Sequence, residues 1–152
     1  MKIALDAAAG DFGLAPNVEG AVSAANAHGI EVLLIGPGAD IRAQLSARGI
    51  SATDPRFEII EAREVVPMSA DAAAVCRAKP NCSIMVAAEL VSNGRAAALV
   101  SAGNSSASLV AALWHLKRLP GVLRPAIAVC LPTARGVSVL LDAGANAECK
   151  PW

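Results

Sequence analysis

Positions 101 to 106 read Ser101-Ala102-Gly103-Asn104-Ser105-Ser106, a run of small, hydrogen-bonding residues. An apolar run, Ala96 to Val100, precedes it, and an apolar-periodic stretch, Ala107 to Lys117, follows. The pattern predicts a buried strand that turns directly into a helix. The first turn of a helix carries amide N–H groups without intrahelical acceptors, and the helix dipole adds positive potential there. Parallel α/β proteins bind anions, phosphate above all, at such junctions. The amides from Gly103 to Ser106 and the Ser105 and Ser106 hydroxyls are the groups that would cradle one. The same residue types also cap helices in any protein. Taken alone, the segment supports both readings.

Two other strand ends carry similar chemistry, Asp6 through Asp11 and Asp142 through Asn146. Small residues and acidic or amide groups collect at all three, and that recurrence is stronger than any one loop. Asn104 and Asn146 carry amide donors suited to an anion's oxygens, and equally suited to Asx turns. A bare carboxylate repels phosphate, so Asp6, Asp11 and Asp142 read as loop braces or as holders of a cation. Arg77, Lys79 and Lys150 are the cationic candidates. Arg77 and Lys79 follow an Ala-rich helix, where the dipole favours cations in any case. Lys150 follows the third loop and is better placed to reach an anion. The candidate substrate- or phosphate-binding set is Asp6, Gly10, Asp11, Ser101, Gly103, Ser105, Ser106, Asp142 and Gly144. Asn104, Asn146 and Lys150 are the candidates for a catalytic role.

These loops need elements to hold them. Lys2 to Ala7 reads as a first strand, followed by a helix with Pro16 near its start that runs to about His28 and is capped by Gly29. Glu31 to Ile35, Phe57 to Glu61 and Ala96 to Val100 read as further strands. Helices are expected over Ala39 to Arg48, Ala72 to Ala78, Ser83 to Asn93 and Ala107 to Lys117. Pro125 to Leu131 and Gly136 to Leu141 look like two more strands. Strands alternating with helices along the whole length predict a three-layer α/β/α fold with a mainly parallel sheet, in one domain over 1–152. The last residues follow a strand end with no helix after it, where a parallel α/β unit normally continues. The expectation is therefore the N-terminal part of a larger domain.

Composition excludes several classes. The 152 residues carry 13 basic and 13 acidic side chains without a block of either sign, so no nucleic-acid footprint is expected. Only Phe12, Phe57, Trp114 and Trp152 are aromatic, which argues against a base-stacking surface. The four cysteines, Cys76, Cys82, Cys130 and Cys149, form no C-x-x-C pair, and zinc spacing is absent. No metal and no cofactor are expected. Cys130 falls inside an apolar strand and reads as core. No apolar run approaches the roughly 20 residues of a membrane span. A cytoplasmic setting with free thiols follows as the expectation.

Several separate motifs, agreeing in order, resemble the bacterial PlsX-type phosphate acyltransferase family. Met1-Lys2-Ile3-Ala4-Leu5-Asp6-Ala7 followed by Gly10-Asp11 is similar to that family's N-terminal signature. Ser101-Ala102-Gly103-Asn104 matches its S-A-G-N turn, and Arg124-Pro125-Ala126 matches its R-P-A before a strand. Leu141-Asp142-Ala143-Gly144-Ala145-Asn146, then Cys149-Lys150-Pro151, matches its L-D-x-G-A-N-x-D-x-K-P. The resemblance runs over essentially the whole chain, which corresponds to the N-terminal part of that longer protein.

The resemblance implies transfer of a fatty acyl group from acyl carrier protein to inorganic phosphate, giving acyl phosphate for phospholipid synthesis. It implies a fold similar to isocitrate dehydrogenases and phosphotransacetylases, a homodimer, and peripheral contact with the membrane. Two other readings stand beside it. One is the acyl-phosphate-forming subunit of glycine or betaine reductase, and the other is a non-catalytic fragment or degenerate paralogue acting as an interaction module. Ala8-Ala9 stand where the family has Met-Gly, and Ser105-Ser106 where it has Thr-Gly. A glycine lost where the backbone needs positive φ would cost on the order of 1 kcal/mol.

Overall fold

Period-two alternation sorts the side chains of the first strands onto the two faces of a sheet. The computed structural model describes residues 1–51 and 53–144, and the chain divides into two compact units, Met1–Leu116 and the part from Lys117 onward. The first unit runs β1 (Lys2–Asp6), α1 (Leu14–His28), β2 (Glu31–Gly36), α2 (Gly38–Ser46), β3 (Phe57–Glu61), α3 (Ala72–Ala78), α4 (Ser83–Ser92), β4 (Ala98–Ser101) and α5 (Ser105–His115). Its four strands form one parallel sheet in the order β3-β2-β1-β4. The chain lays β2 and β3 on one side of β1, then crosses to place β4 on the other. Strand order therefore reverses at β1, and such a switch opens a crevice beyond the carboxyl ends of the two strands that flank it.

Leu5, Val32 and Leu34 pack with Val18, Ala21 and Ala25 of α1 and with Ile41 and Leu45 of α2. Their neighbours along the strands, Ala4, Leu33 and Ile35, pack with Ala87 and Leu90 of α4. A third cluster joins Cys76 of α3, Ile84, Met85 and Ala88 of α4, and Ala107 and Ala111 of α5. Helices cover both faces, giving the three layers and parallel sheet expected from the sequence. With so few aromatics, the core rests on alanines and larger aliphatic side chains, each fully buried Val, Leu or Ile being worth about 1.5–3 kcal/mol. Among the described residues no helix is long and apolar enough to cross a membrane.

The ends of elements follow local chemistry. Gly29 closes α1 in the left-handed conformation, at φ 62°, where glycine has no steric penalty. Helix α5 begins at Ser105, two residues before the expected start, because Asn104 is its N-cap.

The second unit holds β5 (Ala128–Thr133) and β6 (Gly136–Leu141), which pair antiparallel with Thr133 opposite Gly136. Both were expected as strands, and they pair with each other as a hairpin. Two residues join them, whereas a parallel pair needs a crossover of roughly a dozen or more. Cys130, expected in the core, is exposed on this hairpin.

Candidate functional site

Asp6 and Ser101 are register partners at the carboxyl ends of β1 and β4. Alternation puts Asp6 on the same face as Ala4, the face covered by α4. The Ser101 hydroxyl donates to Asp6 Oδ2 at 2.9 Å. Ser101 Oγ in turn accepts the Gly103 amide N–H at 3.0 Å. A carboxylate, a hydroxyl and a peptide N–H thus form one chain from β1 into the β4–α5 turn.

Asp6 is only 2% exposed. Its Oδ1 has no hydrogen-bond partner in ordinary geometry, and neither does the hydroxyl of Ser83, fully buried at the first residue of α4. Burial pushes the Asp6 carboxyl above its ordinary range, while the Ser83 and Ser101 hydroxyls pull the other way. Asp6 therefore faces protein hydroxyls and not the open crevice. Its place is that of a brace.

The β1–α1 loop closes onto the same turn. A Cβ added at Gly103 would lie 2.7 Å from Ala9 Cβ and 3.1 Å from Ser101 Oγ. One added at Gly10, whose φ is 97°, would lie 3.0 Å from the Ala102 carbonyl oxygen. Both glycines are required by this approach of two loops. Asn17, in the first turns of α1, holds the loop from behind by donating to the carbonyls of Ala7 at 2.9 Å and Ala9 at 2.7 Å. The sequence reading missed Asn17. Its signal was a lone amide one turn into a helix that follows a glycine-rich loop.

Asn104 is fully engaged by the protein. Its Oδ1 accepts from the Ala107 amide at 3.0 Å, the N-cap bond of α5. Its Nδ2 donates to the carbonyls of Pro67 at 3.1 Å and Met68 at 2.9 Å. It ties the loop before α3 to the turn, and its amide is not turned toward a substrate. Ser105 and Ser106 are exposed in the first turn of α5, where amides have no intrahelical acceptor. Among the described residues positive φ outside glycine occurs only at Lys117 and Asp142. Side chains at Ala8, Ala9, Ser105 and Ser106 therefore carry no backbone strain of the kind that a lost glycine brings.

The remaining candidates lie elsewhere. Asp11 is exposed in the β1–α1 loop. Arg77 lies over the Trp114 ring, 5.8 Å from its centroid, and Lys79 pairs with Glu64 at 3.0 Å. Both cations are thus occupied by structural partners. Asp142 and Gly144 belong to the second unit and have φ of 62° and 83°. Asn146 and Lys150 lie outside the described residues, as does Cys149. Cys76 and Cys82 are buried and share a hydrogen bond, and burial with that neighbour pushes the Cys76 thiol up to about 11.

What remains open to a ligand is the first turn of α5, at the switch point of a parallel sheet, with its amides and two serine hydroxyls. Fold and site together define a parallel α/β protein with an open strand-to-helix turn at the switch point of its sheet. Comparison with known proteins is consistent with that class. A family model described as fatty acid synthesis protein matches residues 1–152, and the chain belongs to this family. The chain is 51% identical over 151 residues to a protein named phosphate acyltransferase from Elusimicrobium minutum, covering 99% of this chain and 44% of that one. It is 46% identical over 151 residues to a phosphate acyltransferase from Deinococcus radiodurans, covering 99% and 41%. The chain thus spans less than half the length of these relatives. The EutD phosphotransacetylase from Staphylococcus aureus shares the fold, with a TM-score of 0.64 at 18% identity over 98% of this chain and 48% of that one.

Proposed function

We propose that this chain is the N-terminal part of an enzyme that transfers a fatty acyl group from an acyl carrier protein thioester to inorganic phosphate. The observation that carries the reading is the exposed first turn of α5, where Ser105 and Ser106 present amides and hydroxyls at the sheet's switch point. Relatives of up to 51% identity named phosphate acyltransferase support it. In the reaction, a phosphate oxygen attacks the thioester carbonyl carbon, an O–C bond forms, and the C–S bond breaks. Acyl phosphate and the carrier's thiol are the products. Phosphate itself brings the nucleophilic oxygen, so the protein's task is to hold it and to stabilise the developing oxyanion. Helix-terminal amides suit the first task. For the second we assign Asn146 and Lys150, on the strength of the family resemblance. The same resemblance supports a cytoplasmic homodimer that touches the membrane peripherally.

The test is to incubate the purified chain with acyl carrier protein thioester and phosphate, trapping acyl phosphate with hydroxylamine. Hydroxamate above a phosphate-free control is expected, and its absence at saturating substrates overturns activity of this chain. A second reading, an interaction module, is favoured by one observation. Val100 on the sheet is 51% exposed, and the hairpin residues Val137, Val139 and Leu141 are 71%, 58% and 67% exposed. Self-association measured by sedimentation, without hydroxamate formation, would favour that module.

A further inference from the structure

Three polar groups at the crevice are engaged with one another: the buried Asp6 carboxyl and the half-buried Ser101 hydroxyl and Gly103 amide. Gly103 N–H is consumed by Ser101 Oγ at 3.0 Å, and Ser101 O–H by Asp6 Oδ2 at 2.9 Å. A buried carboxyl with one unpartnered oxygen is costly to keep, and a fold with no use for it could place an apolar residue at the end of β1. The cost is borne where the β4–α5 turn must be held in one geometry. Gly103 is pressed between Ala9 and Ser101, with no room for a side chain. The turn is fixed sterically from one side and by hydrogen bonds from the other.

We infer that Asp6 is a positioning residue for the anion site: acting through Ser101, it fixes the Gly103 peptide and so aims the first-turn amides of α5 at the bound phosphate. This rests on the phosphate reading above and deepens it. Asp6 touches no substrate. Its role needs an acceptor at Oδ2 for the Ser101 hydroxyl and does not need the negative charge. An asparagine supplies that acceptor through its own carbonyl oxygen, and its NH2 faces the Ser83 hydroxyl, which can accept.

The experiment is a calorimetric titration of the purified chain with inorganic phosphate, with folding checked by circular dichroism. The unsubstituted chain is expected to bind saturably. Asp6→Asn is expected to bind within about twofold of it. Ser101→Ala and Asp6→Ala are expected to lose roughly tenfold or more in affinity while keeping native circular dichroism. In the hydroxamate assay the same two variants are expected to raise KM for phosphate and leave KM for the acyl thioester unchanged. Should Asp6→Ala not fold, Ser101→Ala removes the same link from the exposed side. Native phosphate affinity in a folded Ser101→Ala overturns the proposal, and so does an Asp6→Asn variant as weak as Asp6→Ala. If the unsubstituted chain binds no phosphate, the functional reading itself fails, and the positioning role with it.

Discussion

Ala9 and Gly103 face each other across the crevice so closely that a methyl group on residue 103 would sit 2.7 Å from the Ala9 methyl. One of the pair must be glycine, and in this chain it is residue 103. Gly103→Ala is expected to destabilise by about 1–3 kcal/mol, the usual cost of overpacking. Ala9→Gly on that background is expected to recover part of the loss, although glycine at 9 alone costs some stability through backbone entropy. Urea unfolding of the two single variants and the double variant checks this, since contacting residues give a non-additive cycle. Additive losses would show that the two methyls do not meet.

Asn104 supplies both a cap and a tether. Asn104→Ala removes the N-cap acceptor and the Nδ2 donor to the Pro67 and Met68 carbonyls, of which Pro67 keeps the Ala70 N–H, with an expected loss of about 1–3 kcal/mol. Asn104→Asp keeps the cap and improves its interaction with the helix dipole, yet cannot donate to the carbonyls. Thermal unfolding is expected to place Asp between Asn and Ala. An order with Asp at or below Ala would assign most of the effect to the tether.

The raised pKa of Asp6 has a definite sign in stability. Above its ordinary value of 3.8 and below its raised native value, the native state binds more protons than the unfolded chain. Stability therefore falls as pH rises through that window, and the full penalty of a buried charge is present above it. Asp6→Asn is expected to melt higher than the native chain at neutral pH, with the difference shrinking as pH drops toward the ordinary carboxylate range. Melting curves from pH 3.5 to 8 measure this. A difference that grows on acidification would contradict it.

Thiol reactivity separates the cysteines by burial. Cys76 and Cys82 are buried, and the Cys76 thiol is pushed up to about 11, so neither forms thiolate readily at pH 8. Cys130 is exposed on the hairpin. Short treatment of the native chain with iodoacetamide at pH 8, read by peptide mass spectrometry, is expected to label Cys130 while leaving Cys76 and Cys82 unmodified until urea is added. Rapid native labelling of Cys76 would place it outside the core.

The parallel sheet was legible because strands buried on both faces read as short apolar runs set between helical stretches, as at Ala4-Leu5 and Val32 to Ile35. The strand-to-helix turn was legible because Ser, Gly and Asn mark such junctions. What escaped the sequence were matters of direction. Nothing in a string of residues tells that the Asn104 amide turns back to Pro67 and Met68, or that Asp6 points under α4. Both depend on how far one element lies from another, and no local pattern records that distance. The pairing of β5 with β6 went unread for a different reason. Val137, Val139 and Leu141 have the apolar alternation of a core strand, and the two-residue link before Gly136 carried the contrary signal. The approach of Ala9 to Gly103 likewise joins loops that are remote in the chain.

That remoteness has a kinetic meaning. The hydrogen bond between Ser101 and Asp6 spans 95 positions of sequence, so β1 is made first and waits for its partner through nearly the whole first unit. Closing so long a loop costs entropy before any contact rewards it. The crevice is accordingly a late product of folding. A nascent chain that has not yet emerged as far as β4 presents a buried-type carboxyl at the end of β1 to water, with no turn for it to hold.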